Sequence, residues 1–404
     1  MSQRPTQTPV QVSPSRPPRR RISRNSQIGL AMILFIPLAL MAIGWAMRGL
    51  PNLPRPKEKP GTLPDYHWTT EASLATARDD FGIATVGGKV YVFGGMTGDR
   101  GNKLDSTEVY DPATNHWSSG PALAVGRSSF RAAAIGDTIY LAGGATSEKS
   151  GINLVEAFDT TTSQFRQLAP LPTPRFGNGL VALNGKLYAV GGYSNGAATG
   201  SVEVYDPAAN SWSAAAPLPT PRYNLAAVVL NDKIYALGGW VNDGPSTAVE
   251  VYDPATNAWV AGTPMKVPMS NFGATVFDGR IYTLLHQVQQ IYDPAVDKWL
   301  GSDPMPTTRH GEGVVAVGEN LYAIGGCYED PQYDLDTVEA FVPGPAPDAP
   351  LQATGRDRFG SIAVIFGALL TAILVATALY FGRHRPAFNQ DFPDDGDGED
   401  GSKV

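Results

Sequence analysis

The sequence predicts an all-β fold, a six-bladed β-propeller flanked by two transmembrane helices. Three observations predict it. An aliphatic–Tyr–x–aliphatic phrase followed by a Gly pair returns along the chain, a Tyr-Asp-Pro…Trp phrase returns in phase with it, and two uncharged apolar runs bracket the repeats. A period near ~50 residues with strand chemistry in each unit marks an array of small sheets, because one such unit cannot bury its apolar face alone.

Taken in order, residues 1–26 carry six Arg and no acid and read as a basic, disordered cytoplasmic arm. Residues 27–47 form the first predicted span: 28–47 are 20 residues without a charge, about 30 Å as a helix, the thickness of a hydrocarbon core. The arginines ahead of it hold the N-terminus inside by the positive-inside bias. The rival reading is a cleaved signal peptide, against which stands the lack of a small-x-small cleavage site, since Arg48 and Gly49 follow. Residues 48–65 are a Pro-rich linker, 66–342 the propeller and 343–358 a Pro/Ala linker. The second span is 359–382, and 383–404 is an acidic, disordered cytoplasmic tail. Two spans return the chain to its starting side. The expected location is therefore the cell membrane, with the propeller extracytoplasmic and both termini cytoplasmic.

The net charge of −7 hides this segregation: residues 66–342 alone hold 16 basic and 28 acidic side chains. Such an acidic body is unsuited to a phosphate backbone, so no nucleic-acid partner is expected. A single cysteine, Cys327, excludes an internal disulfide framework.

The first repeated phrase reads KVYVFGG at 89–95, TIYLAGG at 138–144, KLYAVGG at 186–192, KIYALGG at 233–239, RIYTLLH at 280–286 and NLYAIGG at 320–326. Ahead of its strand stand Gly87-Gly88, Gly136-Asp137, Asn184-Gly185, Asn231-Asp232, Asp278-Gly279 and Gly318-Glu319, pairs that favour two-residue hairpins between strands a and b. Downstream, phrases such as YDPAANSW, ending at Trp212, place Asp-Pro at the head of a turn joining strands c and d. Four antiparallel strands, a-b-c-d, make one blade.

The Gly pair, the Tyr ahead of it and the downstream Tyr-Asp-Pro…Trp are marks by which residues 66–342 resemble the Kelch family. That resemblance implies a closed propeller of four-stranded blades used as a binding platform, on a fold that hosts adaptors and enzymes alike.

The spacing adds a frame. From each strand-d aromatic to the next strand-b Tyr the gap is 23 residues, as in Trp68 to Tyr91 and Trp299 to Tyr322, and from Asp to the aromatic it is six. The variation therefore falls between strands b and c, where Tyr-to-Asp gaps run 20, 19, 18, 18 and 11, with the fifth unit shortest. Trp68 precedes the first full repeat, and the last repeat stops after strand c. The ring should close by pairing the strand around 66–70 with the last strand c, giving six blades and no free edge.

Strand direction alternates, so the d–a and b–c loops share one face and the a–b and c–d turns share the other. Both linkers should emerge on the second face, which points the variable loops away from the membrane. On those loops an arginine recurs: Arg78, Arg127, Arg175, Arg222 and Arg309, with Met269 in the fifth place. Two readings stand. A residue in five of six blades belongs to the frame and bonds loop carbonyls; or, as the family resemblance implies from adaptors with arginines at matching places, it lines a mouth for acidic peptides.

Departures from the repeat mark further candidates. Arg131 stands where other blades have Gly or Ala, and strand a should turn it toward the channel. Glu312 stands where others have Phe81, Phe130, Asn178, Leu225 and Phe272. His310 follows Arg309, His286 replaces the second Gly of its pair, and Cys327 follows the last pair. The ordinary reading of each is a solvated side chain; their shared face in blades five and six makes a functional cluster the alternative. The expected partners are a protein or carbohydrate ligand on the outward face and a lipid bilayer around the two helices. No cofactor and no metal are expected. An enzyme on the same face is the competing class. One form resembles the periplasmic Kelch sialate mutarotase, with Glu312 or His310 moving the anomeric proton. The other resembles Kelch-like copper radical oxidases, which need two His, two Tyr and a Cys near Tyr, partly matched by His286, His310, Cys327 and Tyr328.

Overall fold

The computed structural model describes residues 61–344, apart from Pro64, Asp99, Arg100, Glu148, Lys149, Asp243, Asp330 and Pro331. Both expected membrane spans, both tails and nearly all of both linkers lie outside the described residues. No helix among those described is long and apolar enough to cross a membrane.

Six four-stranded antiparallel sheets form the ring. Blade one runs Gly82–Val86, Lys89–Phe93, Thr107–Asp111 and His116–Gly120 as strands a to d. Blades two to five repeat the order, from strand a at Arg131–Ile135, Gly179–Leu183, Ala226–Leu230 and Gly273–Phe277 respectively. Blade six is composite. Gly313–Val317, Asn320–Ile324 and Val338–Pro343 supply strands a to c, and Tyr66–Glu71 supplies strand d. In that pair Trp68 faces Phe341 and Tyr66 faces Pro343. The expected six blades and the expected closure are both observed.

Local chemistry explains the hairpins. Asn184-Gly185 and Asn231-Asp232 take positive φ at both turn positions, the pattern whose twist matches the flanking strands. In the c–d turns Asn115, Asn210 and Asn257 sit at φ of 51°, 47° and 49°. Each accepts a hydrogen bond from the strand-c tyrosine five residues earlier, at 2.7–2.8 Å. The strand-d tryptophan then reaches the preceding blade: Trp212 Nε1 donates to the Ala169 carbonyl at 2.9 Å, and Trp259 Nε1 to that of Ala216.

Between each adjacent pair of blades lies an apolar cluster, such as Val190, Leu218, Leu225 and Ile234 between blades three and four. The core is thus six inter-blade layers around an axis. The Gly pair is required where those layers meet. Gly94 has φ of 58°, and a Cβ there would stand 2.7 Å from the backbone oxygen of Arg127 in the next blade's loop.

Candidate functional site

The d–a and b–c loops do share one face, stitched together by isolated backbone bridges such as Asp79 to Met96, Tyr223 to Trp240 and His310 to Cys327. Beneath these bridges the recurring arginines are withdrawn from solvent: Arg78, Arg127, Arg175, Arg222 and Arg309 are all 0 % exposed. Each meets a strand-c glutamate, with Glu108, Glu156, Glu203, Glu250 and Glu339 at 2.5–2.7 Å. Arg175 also donates to the carbonyls of Gly191 and Ser201, both at 2.9 Å, and Arg309 to that of Gly325 at 3.0 Å. Burial lowers each guanidinium pKa, and its glutamate opposes the shift. The geometry is that of the frame, a guanidinium tying the Gly-pair turn to strand c, and no arginine of this set reaches the mouth.

Blade five shows what the pair does. Met269 replaces the arginine and Gln290 the glutamate. Gln290 Oε1 accepts the N–H groups of Lys266 and Val267 at 2.8 and 3.0 Å, as Glu108 accepts those of Ala75 and Thr76 in blade one. The neutral pair keeps the loop contacts without burying charge.

Two residues beyond each arginine position the backbone turns left-handed, at Asp80, Ser129, Gly177, Asn224, Asn271 and Gly311, with φ between 51° and 66°. These six form a closed circle of backbone hydrogen bonds. Ser129 N–H donates to Asp80, Gly177 to Ser129, Asn224 to Gly177, Asn271 to Asn224, Gly311 to Asn271 and Asp80 to Gly311, at 2.7–2.9 Å. Asp, Ser, Gly and Asn differ in chemistry, but Gly and Asn, with Asp beside them, are the residues that tolerate this conformation best. That shared tolerance was the signal available in the sequence.

Below the circle runs the axial channel, about 490 Å³, lined by strand a of every blade. Its wall is mainly Ala, Val, Leu and Ile, with Thr85 and Thr275 as neutral polar residues and Arg131 and Glu312 as the charged ones. Arg131 is half-buried and feels Asp80 and Glu312 as its charged neighbours. Glu312 is 5 % exposed; Oε1 accepts the Gly273 N–H at 3.3 Å while Oε2 has no hydrogen-bond partner. Burial pushes its carboxyl up to about 8, against the pull of Arg309 and Arg131.

The face is not uniform. In five blades the b–c loop carries a short two-stranded hairpin, such as Trp240–Val241 with Gly244–Pro245 in blade four. Blade five has none: its strands b and c, Arg280–Leu285 and Val288–Asp293, meet through a tight turn at His286 and Gln287. The missing hairpin leaves a notch of about 510 Å³ lined by Tyr223, Asn224, Trp240, Asn271, His286 and His310 among others. His286 has φ of 54°, its N–H donates to the Arg309 carbonyl at 2.6 Å, and its ring centre is 6.0 Å from that of His310. Leading to the notch, Phe176, Tyr193 and Tyr223 form an aromatic row with centroids 5.2 and 5.1 Å apart.

The candidates thus divide. His286 and His310 share the notch, Arg131 and Glu312 share the channel, and the five repeated arginines belong to neither. Cys327 is buried with Sγ 3.1 Å from His310 Nε2, and Tyr328 stacks on Tyr333 instead. Sequence reasoning missed the glutamate partners, the mouth circle, Tyr223, Trp240, Asn224 and Asn271. A Glu before the strand-c aromatic in five of six repeats was the signal for the first; the notch required knowing which loops fold into hairpins.

A family model described as the KLHDC2/KLHL20/DRC7 Kelch-repeats domain matches residues 80–285, just over half of the chain. The match ends at Leu285, where the Gly pair fails. Among solved structures, YjhT has a similar fold, with a TM-score of 0.59 and 16 % identity over 67 % of this chain and 97 % of that one. No curated protein matches.

Proposed function

The chain belongs to the Kelch-repeat family, and from that premise we propose that it is a membrane-anchored, extracytoplasmic binding platform whose blade-five notch holds a carbohydrate, free or carried on a protein. The single observation behind this reading is the absent hairpin. It opens the loop face beside an aromatic wall, Tyr223 and Trp240, and two amides, Asn224 and Asn271. Aromatic faces pack against the C–H faces of sugars, while amides supply both donors and acceptors for hydroxyl groups. An acidic peptide would want accessible cations, and the five arginines that motivated that ligand are consumed by glutamates. The apolar runs at 27–47 and 359–382 support anchoring on both sides, with the chain entering and leaving the propeller beside Tyr66 and Pro343 on the face opposite the notch.

The test is a glycan array probed with the full chain in detergent or nanodiscs. Binding that is lost in Trp240→Ala and in Asn271→Ala, with the fold kept, is the expected result; binding that survives both changes, or none to any glycan, overturns the reading. Tags in the b–c loops should be accessible on intact cells.

A second reading rests on Glu312. A carboxylic acid held neutral near pH 7 beside Arg131 is suited to move the anomeric proton of a carboxylated sugar. Mutarotation followed by NMR, fast with the native chain and slow with Glu312→Gln, would support it; no acceleration by the native chain removes it.

A further inference from the structure

The seam between blades six and one carries a second cluster on the same face, separated from the notch by His310. Asp79 comes from the d–a loop entering blade one. Cys327 opens the b–c hairpin of blade six (Cys327–Glu329 with Gln332–Asp334), and Asp334 closes it. One ligand atom from each, Cys327 Sγ and a carboxylate oxygen of Asp79 and of Asp334, lie within 4.8 Å of one another.

From this juxtaposition we propose that Asp79, Cys327 and Asp334 bind a divalent cation of the zinc class, with the fourth position left to water or to a group of a bound ligand. Asp79 is 2 % exposed and its Oδ1 has no hydrogen-bond partner. A buried carboxylate oxygen left unsatisfied is costly, and a cation is a group that would satisfy it. One thiolate with two carboxylates suits zinc, whose tetrahedral bonds of ~2.0–2.3 Å put donors roughly 3.5 Å apart. The three donors therefore need to close by at most about 1.3 Å.

The backbone holds them for this. Cys327 and Asp334 are direct cross-strand partners. Asp79 is fixed by reciprocal hydrogen bonds with Met96, at 3.1 and 3.0 Å, and the Gly326 N–H donates to the Arg78 carbonyl at 2.9 Å, drawing the two loops together. One oxygen of Asp334 accepts the Gly98 N–H at 2.5 Å, which orients its carboxylate. His310, 3.1 Å from the sulfur, stands behind the thiol as its neighbour from within blade six.

The repeat supplies internal controls. The positions matching Asp79 hold Ser128, Phe176, Tyr223, Ser270 and His310. Those matching Cys327 after the Gly pair hold Met96, Ala145, Tyr193 and Trp240. Among these copies the blade-six-to-one seam is where a cysteine meets an aspartate. Binding would displace to solvent the thiol proton and the proton that burial favours on the Asp79 carboxyl, and form one Zn–S and two Zn–O bonds, with no change of oxidation state. The cation would clip blade one to the first three strands of blade six, which meet there through apolar packing and the non-covalent closure of the ring.

The test uses the full-length chain, purified under chelator and then titrated with Co²⁺ and, in competition, Zn²⁺. The expected result is one equivalent bound with a thiolate-to-cobalt charge-transfer band. The band is lost in Cys327→Ser, and the dissociation constant rises at least about tenfold in Asp79→Asn and in Asp334→Asn. Absence of the band overturns the proposal. So does an affinity unchanged by all three substitutions, the signature of adventitious binding to the acidic tail. Asp334 is only half-buried, so Asp334→Asn decides the matter if either change at a buried position prevents folding.

Discussion

Arg175 and Glu203, 28 residues apart in sequence, meet at 2.7 Å in an interior where the guanidinium is 0 % exposed. The pair recurs in five blades and is replaced by Met269 and Gln290 in blade five. The protein thus contains its own comparison between a charged and a neutral solution to the same packing problem. Removing one partner of a buried pair strands the other charge, whereas replacing both with a well-packed neutral pair is often nearly neutral.

Arg175→Ala should accordingly destabilise the propeller by about 3–5 kcal/mol in urea denaturation. The double change Arg175→Met with Glu203→Gln, which copies blade five, should recover most of that loss. If the double variant is as unstable as the single one, the neutral pair depends on features of blade five beyond these two residues.

Glu312 makes a pH prediction. Its carboxyl is raised from the ordinary range to about 8 in the folded protein, so the folded state holds a proton that the unfolded state gives up near pH 4.5. The associated stability is fully present below pH ~4.5 and is lost as pH rises through about 8. Glu312→Gln should remove this contribution, and the variant should gain on the native protein by on the order of a few kcal/mol between those pH values. Paired thermal melts across that range measure the difference.

At the mouth circle, Asn224 has φ of 51°. Asn224→Gly should leave stability nearly unchanged, because glycine adopts this conformation freely. Asn224→Ala should cost about 1 kcal/mol, because alanine keeps the Cβ that crowds the following carbonyl but lacks the short polar side chain that lets asparagine tolerate it. Equal losses in the two would mean that the amide, not the backbone, matters there.

Gly94→Ala should be among the more damaging single changes. The added Cβ would stand 2.7 Å from the Arg127 carbonyl oxygen, and φ is 58°. A loss of at least about 2 kcal/mol, read by chemical denaturation, is expected from strain and steric overlap together.

The notch can be closed by design. Inserting the blade-four hairpin sequence 240–245 between Leu285 and Val288 should fill the gap while the four long strands of blade five persist. Surface loops tolerate insertion at modest entropic cost. Ligand binding by the notch should disappear with little change in melting temperature.

Much of this architecture was legible in the residues. Fixed spacings gave the blades, the shared loop face and the pairing of the strand around 66–70 with the last strand c, because strand periodicity and turn chemistry are local and repeat along the chain. The frame and ligand readings of the arginines could not be separated that way, since a guanidinium recurs with equal regularity whether it is buried or exposed. The glutamates settle its surroundings, yet in phrases such as VEVYD a strand-c Glu between apolar residues looks like the solvent side of an alternating strand. Asp79 and Asp334 belong to no repeated phrase, and only the three-dimensional seam brings them to Cys327.

The composite sheet has a mechanical consequence. Tyr66 and Pro343 are paired directly, so the first and last strands of the propeller leave the ring side by side. Tension between the two ends would load the strand pair at its end, opening its hydrogen bonds one at a time like a zipper instead of shearing them together. The ring that resists thermal fraying by having no edge is therefore weakest to a pull at the one seam where it was joined.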